Sequence, residues 1–357
     1  MSANFAFYIH HHGSGHLMRA LSIASQLKDA QVTFLGSDLT RFAAIIPPTI
    51  QCIDLPQDVA GPEDPFASRM QLGFLHYAPV NVEKVAKRAA VISAAQHALF
   101  PVIMIVDVSV EVTLLATLCG TPTVVIRQNG DRDDLAHLHA YECAQLLIAP
   151  SPEELMNPSP QDWVNQKTFF SGGFSKYSGK EKYAEKLENP AIGVLVGSGG
   201  TSINGKVINA LAAQCAERPI LVIGNVADPE HVVASNVIFH GQINDPASVL
   251  AQCNVVIGNA GHNSVMEMAD LGKKFVCIPE DRPFQEQLRK AELLAQNGMA
   301  VLVQPEELDH TDWKTIIQKA DSLPDDCWKH VIKDSALADV AARLHELWDT
   351  NFPERLA

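Results

Sequence analysis

The stretch Phe5-Ala6-Phe7-Tyr8-Ile9-His10-His11-His12-Gly13-Ser14-Gly15-His16 decides the fold. Its apolar half, Ala3 to Ile9, predicts a buried strand. Gly13 and Gly15 let the chain turn tightly, and Arg19 to Lys28 carries the apolar spacing of a helix. A strand that passes through a glycine turn directly into a helix places backbone N–H groups and one histidine at the carboxyl edge of a parallel sheet. That edge is where ligands bind in open α/β folds.

The pattern then repeats. Strands are expected at Gln31–Leu35, Ile50–Leu55, Val102–Val106, Thr123–Ile126 and Leu146–Ala149, the last of the first half, with helices at Val82–Leu99 and Glu111–Cys119. Pro152, Pro158, Pro160, Gly172, Gly173 and Gly179 interrupt it, and the domain junction is expected between Ser175 and Pro190. Strand–helix alternation resumes at Ala191 and continues to Val303, and Asp312–Ala320 and Ala336–Trp348 close the chain as helices. Two doubly wound parallel sheets of α/β type in series are expected. A chain of 357 residues agrees with two cores rather than one.

Bulk properties narrow the function. The formal charge of −14 disfavours nucleic acid and anionic lipid as general partners. No apolar run reaches the ~20 residues of a membrane span. The first apolar run leads straight into the histidine turn, without the charged n-region of a secretory signal. A cytoplasmic protein is expected. The seven cysteines lack any CxxC pair and read as buried reduced thiols. Successive side chains of an extended segment alternate, so His10, His11 and His12 do not converge on a metal, and no metal site is expected. Asp131, Asp133 and Asp134 read as a solvated helix start.

Three glycine turns carry the candidate chemistry. In the first, neutral His16 suits abstraction of a hydroxyl proton. Asp107, closing a buried strand, either orients His16 or caps a helix, and Arg19 meets a phosphate or solvent. In the second, Gly197-Ser198-Gly199-Gly200-Thr201 offers hydroxyls and N–H groups to a diphosphate. The third, Gly258-Asn259-Ala260-Gly261-His262-Asn263-Ser264, leads into a helix on which Glu267 can accept two ribose hydroxyls. Glu286 and Gln287, beyond the next strand, offer donor and acceptor atoms suited to sugar hydroxyls.

Gly13 to His16 and Gly261 through Gln287 resemble the two-domain GT-B glycosyltransferases of the family-28 type, which includes the peptidoglycan N-acetylglucosaminyltransferase. The resemblance implies two Rossmann-like domains facing across a cleft: an acceptor domain over 1–175, a nucleotide-sugar donor domain over 176–335, and a last helix within 336–357 that crosses back. It implies inverting, metal-independent transfer from a nucleotide diphosphate sugar, commonly a UDP-sugar, to an acceptor hydroxyl. It requires no cofactor. It gives His16 the place beside the reaction centre, Ser198, Gly199, Gly200 and Thr201 the diphosphate, Ile243 the base through its backbone, Glu267 the ribose, and Glu286 with Gln287 the donor sugar. Gly13, Gly15, Gly261, His262, Asn263 and Ser264 complete the turns.

The first turn is poorer in glycine than that of the peptidoglycan enzyme, His262 stands where a small or amide residue is usual, and the sugar motif is Glu-Gln. Gly15-His16-Leu17-Met18-Arg19 also resembles nucleotide-sugar hydrolases of nonulosonic acid pathways, and the UDP-GlcNAc 2-epimerases share the fold. Transfer, hydrolysis, epimerisation and non-catalytic nucleotide-sugar sensing therefore stay open at this level. A lipid-linked acceptor, with peripheral contact through the basic and apolar Val82–Leu99 segment at the inner membrane face, is the cell-envelope version of the reading. A core-facing role for the same helix is its alternative.

Overall fold

The computed structural model describes residues 2–10, 14–65, 72–180, 188–197, 199–243 and 245–353. Seven strands, β1 (Asn4–Ile9), β2 (Gln31–Gly36), β3 (Gln51–Asp54), β4 (Ile103–Asp107), β5 (Thr123–Ile126), β6 (Leu146–Ala149) and β7 (Thr168–Phe170), form one sheet in the order β3-β2-β1-β4-β5-β6-β7. Six more, β8 (Ala191–Leu195), β9 (Ile220–Ile223), β10 (Val237–Gly241), β11 (Cys253–Asn259), β12 (Lys274–Ile278) and β13 (Ala300–Leu302), form a second in the order β10-β9-β8-β11-β12-β13. All pairings are parallel.

The helices of the first half are α1 (Gly15–Ala24), α2 (Glu83–Ala98), α3 (Val110–Leu118), α4 (Leu135–Cys143) and α5 (Asp162–Lys167). The second half has α6 (Gly205–Gln214), α7 (Ala247–Leu250), α8 (His262–Asp270), α9 (Glu286–Gln296), α10 (Trp313–Asp321) and α11 (Ala336–Asn351).

The central strand β1 shows why the first sheet is covered on both faces. All six of its residues are buried. Phe5, Phe7 and Ile9 point to one face and join α1 and α11, while Ala6 and Tyr8 point to the other and meet Ile92 and Ala95 of α2. Helix α11 buries Ala336, Val340, Leu344 and Trp348 in the first sheet's core. Phe5 meets the rings of His345 and Trp348 edge-on at 5.6 and 6.1 Å. The last helix of the chain is thus packed on the first lobe by its own apolar stripe.

Three expectations need correction. Leu146–Ala149 is not the last strand of the first half, because β7 follows α5 and pairs with β6. Three residues at a sheet edge are too few to show a period. The helix expected from Phe284 begins at Glu286, because Phe284 and Gln285 have φ of 60° and 53°. The basic residues of α2 do not all face away from the core: Arg88 is buried, donating to Tyr8 Oη and Ser37 Oγ. Among the described residues no helix is long and apolar enough to cross a membrane.

Candidate active site

Each sheet reverses its winding once. In the first, the reversal lies between β1 and β4; in the second, between β8 and β11. Crevices form at such points because the loops from the two adjacent strands leave in opposite directions. His16 follows β1 and Asp107 ends β4, so they meet across the first crevice. His16 Nδ1 lies 3.2 Å from Asp107 Oδ2.

Asp107 is the anchor. Arg19, one helical turn beyond His16, donates to it twice, from Nε to Oδ2 and from Nη2 to Oδ1, each at 3.0 Å. Gln128, just past β5, donates to Oδ1 at 3.1 Å. Burial by itself raises a carboxyl pKa; the Arg19 and His16 charges and hydrogen bonds outweigh it and hold Asp107 well below the usual carboxylate range. Two groups face His16 Nδ1: Asp107 Oδ2, which only accepts, at 3.2 Å, and Arg19 Nη2, which only donates, at 3.3 Å; bonding to the carboxylate puts the proton on Nδ1 and leaves the lone pair on Nε2. The helix-capping alternative for Asp107 is not realised, since Ser109 Oγ caps α3 by accepting from Val112 N. Arg19 is not left to solvent: it is 5% exposed and donates to Asp107.

The second crevice holds the other two turns. Gly199 and Gly200 are exposed. Their carbonyls accept from the Arg282 guanidinium, which thereby ties the turn to the loop after β12. A carboxylate occupies the donors expected to hold a diphosphate. Glu280 Oε1 accepts from Thr201 Oγ1, Ser202 N, Ser202 Oγ and, across the crevice from β11, Asn259 Nδ2, at 2.7–3.2 Å. Gly13 and Ser198 lie outside the described residues.

Gly261 is the N-cap of α8, and the helix points its free N–H groups toward the first lobe. Asn263 Nδ2 donates across the gap to Gly15 O at 3.2 Å. His262 lies on the same turn; burial and the nearby Lys290 and Arg19 charges push its pKa well down, so it is held neutral. Ser264 follows on this turn and is half-buried. Glu267, one turn on, faces Lys176 of the connecting segment at 3.4 Å. Burial raises the Glu267 carboxyl's pKa and Lys176 opposes the shift. Ile243 is half-buried against the core of the second lobe. At the start of α9, Gln287 is buried and its Oε1 accepts from Glu280 N at 3.0 Å, while Glu286 faces Arg132 of the first lobe at 3.5 Å.

Both crevices thus open toward each other, with His16 on one side and the α8 and α9 N-termini on the other. Residues 191–330 match the family model described as glycosyltransferase family 28 C-terminal domain. The second lobe thus carries a family-28 glycosyltransferase C-terminal domain, on a chain of GT-B fold. Among curated proteins it is 26% identical over 226 residues to a UDP-N-acetylglucosamine--N-acetylmuramyl-(pentapeptide) pyrophosphoryl-undecaprenol N-acetylglucosamine transferase of Histophilus somni, covering 58% of this chain and 59% of that protein. It is 24% identical over 235 residues to an uncharacterised glycosyltransferase of Methanosarcina mazei, covering 63% and 58%. The chain therefore spans less than two thirds of the length of these relatives. Among solved structures, MurG of Acinetobacter baumannii superposes with a TM-score of 0.62 at 18% identity, covering 96% of this chain and 99% of that one. The calicheamicin glycosyltransferase CalG4 gives 0.66 at 15%, covering 99% and 100%. These similarities show the GT-B fold across the whole chain.

Several residues that shape this site were not singled out from the sequence. Gln128 carries a usable signal, being polar and just past an apolar strand that neighbours the strand of Asp107. Arg132 has none. It is 8% exposed, lies over the Phe284 ring at 4.8 Å and donates to Asn129 O and His137 Nε2 at 2.9 and 3.0 Å. Asp131 N donates to Phe284 O at 2.7 Å, which stabilises the left-handed Phe284 backbone. Gly130 permits this approach, since a Cβ there would lie 2.4 Å from Phe284 O.

The three aspartates have separate partners. Asp131 takes the Arg289 guanidinium, Asp133 accepts from Ser159 Oγ, and Asp134 caps α4 and bridges His76 and His137. His76, Asp134 and His137 lie close enough together to share a metal ion. Arg132 only donates, however, so His137 Nε2 accepts and the proton sits on Nδ1, where it bonds Asp134 at 2.6 Å. That nitrogen then has no lone pair for a metal.

Burial, with the Arg132 charge and against the pull of Asp134, brings His137 down to about 4. An unfolded histidine titrates near ~6.5. As pH falls from there, the unfolded chain takes the proton first, so stability is full above that value and declines toward pH 4, by on the order of 3 kcal/mol. Urea unfolding followed across this range is expected to show the decline. His137→Gln should flatten it, with His262 supplying a remainder of the same sign. Parallel curves for the two proteins would assign the decline to other groups.

Proposed function

We propose that this chain is an inverting, metal-independent glycosyltransferase that moves a sugar from a UDP-sugar to an acceptor hydroxyl. The observation that carries the reading is the His16–Asp107–Arg19 assembly on one lobe, facing the N-terminus of α8 on the other. Asp107 holds His16 with Nδ1–H inward, and Nε2 takes the acceptor's proton. The acceptor oxygen bonds to the anomeric carbon as the bond from that carbon to the diphosphate breaks, and UDP leaves with the electron pair. The N–H groups at the start of α8 and those of Gly199, Gly200 and Thr201 meet the charge that develops on the diphosphate.

On this reading Glu280 and Lys176 are stand-ins. The Glu280 carboxylate fills the anion cradle that the diphosphate would share, and Lys176 neutralises Glu267 until a ribose offers its hydroxyls. Glu286 and Gln287 face the sugar, and Ile243 meets the base through its backbone. The printed name of the Histophilus somni relative supports a lipid-linked pyrophosphate acceptor.

Incubation with a panel of UDP-sugars, with and without a bacterial lipid extract, tests this. UDP release that depends on the extract, with sugar label entering the lipid fraction, is the expected result. Equally fast release without an acceptor would make the protein a hydrolase and overturn transfer.

A further inference from the structure

Three cations are buried along the seam between the lobes, and their charges are not equally met. Arg19 is neutralised by two hydrogen bonds to Asp107. Arg132 faces Glu286 at 3.5 Å. Lys290 is 2% exposed, and among the described residues no carboxylate lies within ion-pair distance of its Nζ. Its hydrogen bond goes to the backbone carbonyl of Leu155, a residue of the chain's first half whose side chain is buried in the second lobe's core, at a long 3.4 Å. An ammonium group has three donors, and a buried one needs a counter-charge to offset lost hydration. One distant carbonyl is a poor substitute for either.

Position says where the missing anion belongs. Lys290 stands four residues after Glu286 and three after Gln287, on the same face of α9. Side chains on a helix lean back toward its N-terminus, so the ammonium is carried toward the end where Glu286 and Gln287 stand. It also lies within electrostatic reach of Arg19, which bonds the carboxylate that orients His16. Burial and the Arg19 charge pull the Lys290 pKa down to about 8, against Glu286. The group therefore remains largely charged at neutral pH while lacking a partner.

We propose that Lys290 is a specificity-determining residue that pairs with a carboxylate on the transferred sugar, so that the donor is a nucleotide-linked hexuronic acid. The inference rests on the donor reading of Glu286 and Gln287. A neutral hexose leaves the lysine uncompensated, whereas a uronate carboxylate replaces the Leu155 carbonyl and balances the charge. The anion is placed on the donor rather than the acceptor because Lys290 shares a helix face with the sugar-facing pair.

Calorimetric titration of the full chain with UDP, UDP-glucose and UDP-glucuronate tests this, on the wild type and on Lys290→Met, which keeps length and apolar fit. The wild type should bind UDP-glucuronate about tenfold or more tighter than UDP-glucose, the scale of a hydrogen bond to a charged group. Lys290→Met should abolish that preference and leave UDP affinity within about twofold. The wild-type preference is informative even if the variant fails to fold. UDP binding with no uronate preference, or an equal loss for all three ligands in the variant, would make Lys290 a strut between the lobes and overturn the inference alone. Failure of all three to bind would remove the donor reading together with it.

Discussion

His16→Ala is expected to lower kcat by about 10²–10⁴ while leaving the Kd for UDP within about twofold. The size of the loss follows from what the side chain is set up to do. Asp107 fixes one ring nitrogen, and the other is the only atom of the residue positioned to accept a proton from a hydroxyl at the cleft. On the proposed reading the nucleotide contacts belong to the second lobe, so ground-state binding should not change. Steady-state rates at saturating acceptor, with calorimetry on the nucleotide, separate the two effects. An unchanged kcat would remove His16 from the chemistry, and a matching loss of UDP affinity would make it a binding residue.

Asp107→Ala is expected to cost about 3–5 kcal/mol of stability, because it strands a buried guanidinium. Arg19 gives two bonds to this carboxylate, and Gln128 loses its acceptor as well. Activity should fall along with stability, since His16 loses the group that selects its tautomer. Asp107→Asn separates the two effects. Its amide keeps one acceptor oxygen for Arg19 and should recover part of the stability, yet it donates where the carboxylate accepts, so turnover should stay low.

The pH dependence has a definite sign. The folded carboxyl titrates below its unfolded value of ~3.9, so its contribution is present above that pH and is lost as pH falls below it. Chemical unfolding of the three proteins at neutral and acid pH checks the order. Wild-type stability in Asp107→Ala would show that Arg19 finds another partner.

Much of the fold was legible because period and punctuation are local. The six buried residues of β1, the turn after it and the helix on the turn are contiguous, and the same grammar marks β8 and β11. The misses have physical causes as well. β7 is held by pairing with β6, a contact between residues about twenty positions apart, and carries no period of its own. The delayed start of α9 follows from the left-handed Phe284 and Gln285, whose backbone is secured from the first lobe by Asp131. Nothing within the local sequence announces that contact.

The amino-acid order alone determined the two parallel sheets, the glycine turns at their carboxyl edges, and the presence of His16, Asp107, Glu267 and Glu286-Gln287 beside those turns, because strand, turn and helix signals are written within a few residues of each other. Only the tertiary structure decided what the charged side chains do. Arg19 is a buried partner of Asp107, Glu280 accepts from Thr201, Ser202 and Asn259, and Lys290 is buried in the seam with no carboxylate among the described residues at ion-pair distance. A charge takes its role from its surroundings in space, and in this chain those surroundings are assembled from segments as far as 135 and 154 residues apart and from both lobes.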